Sequence, residues 1–201
     1  GRPFVGSAGA FRRTTNGHDY ALTPPQDTLL DLLTKRGIPV VSIGKVRDLF
    51  AGRGIDRALP APSDSEGLDQ LLDVIRADGE GLVFLNLVDF DTLFGHRNDV
   101  AGYAGNLERF DERLGDVLMA LQESDLLVIT ADHGNDPTTP STDHSREYVP
   151  ILLTGSRVRG DVDLGTRGTF ADLGQTLAAN FGVGPLTHGI SFLDQIFVAG
   201  S

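Results

Sequence analysis

The chain has 201 residues, 40% of them hydrophobic and 22% charged, which suits one globular α/β domain with a real core. Its net charge of −11 excludes a broad nucleic-acid surface, and no apolar run is long enough to span a membrane. There is no cysteine, so disulfides and thiolate metal sites are excluded, and any metal must be held by oxygen and nitrogen.

Residues 1–22 are rich in Gly, Arg and polar residues and read as loop or as an excursion from another module. The chain starts Gly1-Arg2-Pro3-Phe4, and its only methionine is Met119, so it reads as a piece of something longer. Thr23-Pro24-Pro25 then opens a predicted helix carrying Leu29, Leu30, Leu32 and Leu33, which Gly37 closes. Pro39 to Ile43 is a short β-branched run, read as a buried strand. Residues 51–63 are Gly- and Pro-rich and read as loop. Ser63 or Ser65 caps the next helix, with Leu68, Leu71, Leu72 and Ile75 on one face.

The run 82–88 is apolar nearly throughout, as a central strand covered on both faces should be. The longest helix follows, with Val100, Tyr103, Leu107, Phe110, Leu114, Val117 and Leu121 recurring at steps of three and four as a core-facing stripe. Residues 126–130 and 149–153 read as further strands. Phe170, Leu173, Leu177 and Phe181 mark a last helix ending at Gly182. This alternation predicts a three-layer α/β/α sandwich around a mostly parallel sheet, with ligands at the carboxyl ends of the strands.

Two of those strand ends carry acid and imidazole. The first runs into Asp89-Phe90-Asp91, with His96 beyond; the second runs into Asp132-His133-Gly134-Asn135-Asp136, with Asp143-His144 after it. Aspartate and histidine suit Mn²⁺, Zn²⁺ or Mg²⁺, and two ions about 4 Å apart can hold both oxygens of an in-line phosphoryl transfer. Asp91, His96, Asp132, His133 and His144 exceed what one tetrahedral ion takes and fall short of two filled sites. A single Asp-His-Gly turn is most often a capped loop; the repetition after a second strand is what favours metal. No Gly-x-Ser-x-Gly elbow and no phosphate-cradling glycine loop occurs.

The string Thr130-Ala131-Asp132-His133-Gly134-Asn135-Asp136 resembles the metal signature of the alkaline phosphatase superfamily. Phe84 to Asp91, Gly95-His96-Arg97, Thr142 to Pro150, Ile43-Gly44-Lys45, Arg2-Pro3-Phe4, His18 to Leu22, Thr169 to Asp172 and His188 to Leu193 resemble the phosphopentomutase family within it. The resemblance covers essentially the whole chain, in order.

It implies an alkaline phosphatase-like core over residues 23–201, preceded by the end of a cap-domain segment over 1–22. It also implies two divalent ions, Mn²⁺ by preference. Asp91, His96 and His144 would hold one; Asp132 and His133 would hold the other, together with an Asp from an amino-terminal segment outside this chain. The family's Asp-Ser-x-Gly string and the strand that would carry it are read as absent here, and the nucleophilic threonine would come from the same outside segment, so this chain is expected to be inactive alone. Lys45 and Arg2 would contact the sugar phosphate; ordinary surface charge is the alternative for both, and the place of Lys45 directly after a strand favours function there. The family carries an arginine where this sequence has Gly17, with Arg12 or Arg13 as substitutes. His18 falls in the cap segment and His188 reads as structural. The implied activity is exchange of (deoxy)ribose 1-phosphate and 5-phosphate through a phosphothreonine, in the cytoplasm and in nucleoside catabolism. The rivals are a metal-dependent phosphatase or phosphodiesterase and a non-catalytic metal-binding or scaffold domain.

Overall fold

A computed structural model describes residues 3–14, 20–77 and 79–197. Arg2, Gly17 and His18 lie outside the described residues. Strands β1 (Phe4–Val5) and β2 (Arg12–Arg13) pair antiparallel as a short ribbon inside the segment expected to be loop.

Helix α1 (Leu29–Lys35) starts later than the two prolines suggest. Thr28 sets the start, because it and Asp31 form a capping box: the Thr28 hydroxyl accepts from the Asp31 N–H, and the Asp31 carboxylate accepts from the Thr28 N–H at 2.7 Å. Burial pushes the Asp31 carboxyl up, but the Thr28 bonds and the Arg53 guanidinium outweigh it and hold the group below its ordinary value. Ile38 N–H returns to the Leu33 carbonyl after the left-handed Gly37, ending the helix as expected.

Strand β3 (Val40–Ile43) is the centre of a three-stranded parallel sheet. Its partners are β4 (Arg57–Leu59) on one side and β5 (Leu82–Leu85) on the other, with Ile43 level with both Leu59 and Leu85. Strand β4 falls in the run expected to be loop. Three residues directly before Pro60 carry no strand period of their own, and only pairing with β3 makes them one.

Helix α3 (Asp64–Arg76) is capped by Ser63, and α4 (Val100–Ala120) by Asp99. Leu68 and Leu72 of α3 pack with Phe110, Leu114 and Val117 of α4 and with Leu85 on one side of the sheet. Val40 and Leu82 face the other side, where α1 meets α5 (Ala171–Asn180) through Leu30, Leu33 and Ala178. Helices on both faces give the expected three layers.

Two expectations need correcting. Strand β5 is not covered on both faces: Phe84 is 41% exposed, and among the described residues β5 pairs only with β3. In α4, Val100 and Leu107 are exposed while Asn106 is buried, because Asn106 turns inward to bond Asp64. Strands β6 (Leu127–Ile129) and β7 (Leu152–Thr154) form a separate antiparallel pair. Two short helices, α2 (Val46–Leu49) and α6 (Leu193–Ile196), complete the elements. Among the described residues no helix is long and apolar enough to cross a membrane.

Candidate metal centre

The chain leaves β5 through Val88, which is buried, and Asp89, which is locked to α3. The Asp64 N–H donates to the Asp89 carboxylate and the Asp89 N–H donates to the Asp64 carboxylate, both at 2.9 Å. This reciprocal pair fixes where the next turn begins. Residues Phe90–Phe94 form one π-helical turn and Gly95–Arg97 a 3₁₀ turn, after which left-handed Asn98 redirects the chain into α4. Single π turns are uncommon and concentrate at functional sites, because the extra residue per turn re-aims a side chain. Here the wide turn carries Asp91, and the 3₁₀ turn after it brings His96 alongside.

The other half of the site comes from the loop between β6 and β7. Ser145 N–H donates to the Gly134 carbonyl at 3.1 Å, and Asp136 N–H donates to the Ser145 hydroxyl at 2.8 Å. Those bonds fold residues 142–145 back onto 132–136 and carry His144 toward Asp91. Asn98 Nδ2 holds the same loop from the first segment by donating to the Thr139 carbonyl at 2.6 Å.

One ligand atom each from Asp91, His96 and His144 lies within 4.8 Å of the others. Asp91 Oδ1 is 3.0 Å from His144 Nε2 and 3.3 Å from His96 Nε2. His96 Nδ1 sits 2.6 Å from the Thr142 carbonyl. A carbonyl can only accept, so Nδ1 carries the proton, and in the neutral ring Nε2 presents a lone pair to the pocket. Lone pairs of imidazole and carboxylate facing each other at that distance call for positive charge between them. The donor chemistry therefore fits a divalent cation: one anionic oxygen, two imidazoles, and a backbone carbonyl fixing one of the rings from behind.

His133 stacks on His144 with ring centroids 3.7 Å apart, and His144 stacks on His96 at 4.9 Å, so three imidazoles lie in a row. Asp132 lies 3.7 Å from His133, with its side chain 59% exposed. All five candidate ligands thus reach one region, but among the described residues only Asp91, His96 and His144 form a group of three able to share an ion. Tyr103 borders the site; burial, and then the charges of Asp136 and Asp91, push its phenol up. The side-chain and backbone bonds from Thr138 hold the Asp136 carboxyl below its ordinary value.

Lys45 comes from a third segment, just past β3. It follows Gly44, whose φ of +80° and whose contact with the Asn86 carbonyl (2.6 Å for an added Cβ) leave no room for a side chain. That turn puts Lys45 at the carboxyl edge of the sheet, the edge from which β5 runs toward Asp91. Arg2 falls outside the described residues. His188 is exposed, in a loop held by the Ile190 N–H donating to Asp172 Oδ1 at 2.9 Å.

The Asp-Ser-x-Gly string expected to be absent does occur in this chain, as Asp64-Ser65-Glu66-Gly67. It opens α3 instead of supplying a ligand: Asp64 is buried, with one oxygen accepting from Asp89 N–H and the other from Asn106 Nδ2 at 2.8 Å. The residues that sequence reasoning missed are Asn135, whose amide reaches Asp91, and Thr142, which acts through its backbone. Asn135 lies inside the quoted Asp-His-Gly-Asn string, whereas a backbone carbonyl has no signature in the sequence.

Residues 13–185 match the family model described as the Metalloenzyme superfamily. The phosphopentomutase of Clostridium novyi is 49% identical over 195 residues, covering 97% of this chain and 50% of its own length. That of Thermotoga maritima is 51% identical over 197 residues, covering 98% of this chain and 50% of its own. The chain therefore spans about half the length of the curated relatives it matches. Among solved structures, a phosphoglycerate mutase of Leishmania mexicana, crystallised at low cobalt concentration, superimposes with a TM-score of 0.63 at 18% identity. The superposition covers 84% of this chain and 39% of that one, and it shows a shared fold.

Proposed function

Because the chain belongs to the metalloenzyme superfamily, we propose that it forms the metal-binding part of a cytoplasmic phosphopentomutase, exchanging (deoxy)ribose 1-phosphate and 5-phosphate. The observation that carries this reading is the meeting of one carboxylate and two imidazoles from two separate loops within 4.8 Å. Identity near 50% to phosphopentomutases along almost the whole chain supports the choice of reaction.

Asp91, His96 and His144 would hold one divalent ion, Mn²⁺ by preference. Asp132 and His133 would hold a second, together with an Asp from the segment outside this chain. Bound there, the ions would neutralise phosphoryl oxygens and lower the pKa of a coordinated hydroxyl. The remaining work falls to protein groups. The Thr142 carbonyl presets the His96 tautomer, so no proton has to move before the ring can donate its lone pair. Lys45 and Arg2 receive the sugar phosphate as cationic donors, and residues 1–22 form the return from the cap. A phosphothreonine of the outside segment gives its phosphoryl group to the free pentose hydroxyl, and the other phosphate of the resulting bisphosphate returns to the threonine. One P–O bond forms and one breaks at each transfer. Positioning and electrostatic complementarity supply the rate.

The test is a chimera in which this chain replaces the matching 195 residues of the Clostridium novyi phosphopentomutase. With Mn²⁺ and ribose 1-phosphate it should yield ribose 5-phosphate, while the 201-residue chain alone should bind Mn²⁺ without turnover. Release of inorganic phosphate in place of the isomer would favour a phosphatase. A folded, metal-loaded chimera that does neither would favour a scaffold role.

A further inference from the structure

Asn135 joins the three segments that build the site. Its neighbours on both sides are tied to Ser145: Gly134 through its carbonyl, and Asp136 through its N–H. The Asn135 backbone is thereby held beside the His144 segment. Its side chain crosses to the π turn, where Nδ2 donates to Asp91 Oδ1 at 3.2 Å. That same oxygen faces both His144 and His96.

The space Asn135 occupies exists because residue 95 is glycine. Gly95 has an ordinary helical backbone, with φ −60° and ψ −61°, so its dihedrals give no reason for a glycine. The reason is room. A Cβ at Gly95 would lie 2.1 Å from Asn135 Nδ2 and 2.5 Å from Cγ, and the three nearest atoms to it all belong to the Asn135 side chain. A side chain at position 95 competes for the space in which the Asn135 amide reaches Asp91, so one of the two must shift.

We propose that Asn135 is a positioning residue, which, seated against Gly95, holds the Asp91 carboxylate in register with His96 and His144 for cation binding. The proposal rests on the reading of Asp91 as a metal ligand and adds to it the part that orients that ligand. A free carboxylate rotates about its terminal bond and can turn Oδ1 away from the rings. A donor fixed on a stitched loop removes that freedom before the ion arrives.

The glycine makes the test a cycle of variants. Mn²⁺ affinity is measured for the chain and for N135A, G95A and the double variant N135A/G95A, using the paramagnetic resonance signal of free Mn²⁺. Thermal melts of the metal-free proteins establish that each is folded, and N135S serves in place of N135A if truncation to alanine impairs folding. Each single substitution should weaken Mn²⁺ about 10- to 100-fold, the usual cost of losing a group that orients a ligand. The double variant should bind no worse than N135A alone, because the shortened side chain at 135 leaves room for the methyl group added at position 95. Affinity in N135A or G95A equal to that of the unsubstituted chain overturns the proposal, and so does a double variant whose loss is the product of the two single losses. If the unsubstituted chain binds no Mn²⁺, the metal reading itself fails and this inference falls with it.

Discussion

Replacing Asp91 by alanine should remove the stabilisation that Mn²⁺ gives this protein. Asp91 is the one anionic donor among the three grouped residues, and its Oδ1 lies within 3.3 Å of both ring nitrogens. Mn²⁺ prefers oxygen, and two imidazoles alone bring no charge to offset its desolvation. The loss should exceed the roughly 100-fold that removing an orienting partner can cost. At a metal concentration of about 100 times the dissociation constant, the unsubstituted chain gains about 2.7 kcal/mol, and a variant about 100-fold weaker gains only about 0.4 kcal/mol. The two are readily separated as shifts in melting temperature with and without metal. Equal shifts in both proteins would remove Asp91 from the site.

The largest effect on folding should come from Asp64→Ala. Asp64 is 7% exposed and accepts from the Asp89 N–H and from Asn106, itself 5% exposed. Cutting the carboxylate leaves both donors buried without partners, at about 1–3 kcal/mol each, so a loss of roughly 3 kcal/mol is expected in urea melts. A loss below about 0.5 kcal/mol, the size of an ordinary surface substitution, would mean that the network does not hold the turn.

The same group predicts a pH dependence. Burial pushes the Asp64 carboxyl above its ordinary value of 3.8; bonds from Asp89 and Asn106 oppose this, and the Asp89 charge adds to the rise. The folded chain therefore keeps this proton to higher pH than the unfolded chain does. Between 3.8 and the raised folded value the folded state binds more protons, so this contribution to stability is fully present below 3.8 and declines as pH rises through that window. Asp64→Asn does not titrate, so its stability relative to the unsubstituted chain should improve as pH is raised from acid toward neutral. A difference that stays flat or moves the other way would contradict the assignment.

Much of the scaffold is legible in the sequence because it is written in local patterns. Leu82 to Leu85 is a continuous apolar run, Val40 to Ile43 is one broken only by Ser42, and Ser63 followed by Leu68 and Leu72 is a cap followed by a stripe. What fails is what depends on distant partners. Arg57-Ala58-Leu59 is a strand only because β3 lies beside it. The direction of β7 is set by how residues 130–150 return, and no local period encodes that. Thr28 and not Pro24 starts α1, because a reciprocal cap with Asp31 outweighs proline's preference for the first turn.

The site divides along the same line. Aspartate and histidine after two strands can be read from spacing, and the resemblance groups Asp91 with His96 and His144. The π turn that aims Asp91, the Thr142 carbonyl behind His96 and the cavity at Gly95 filled by Asn135 depend on backbone placement. The string Gly95-His96-Arg97 is visible in the sequence; that its glycine makes room for an amide from another loop is visible only in three dimensions. Asp64 is the converse case. Its Asp-Ser-x-Gly string goes unread in the sequence, and its burial and bonding make it a brace.

The most direct measurement is anomalous diffraction at the manganese edge from crystals grown with Mn²⁺. A single strong peak should lie about 2.0–2.3 Å from an Asp91 oxygen, His96 Nε2 and a His144 ring nitrogen at once. A saturated crystal with no peak there, or with manganese bound only at other carboxylates, would contradict the account.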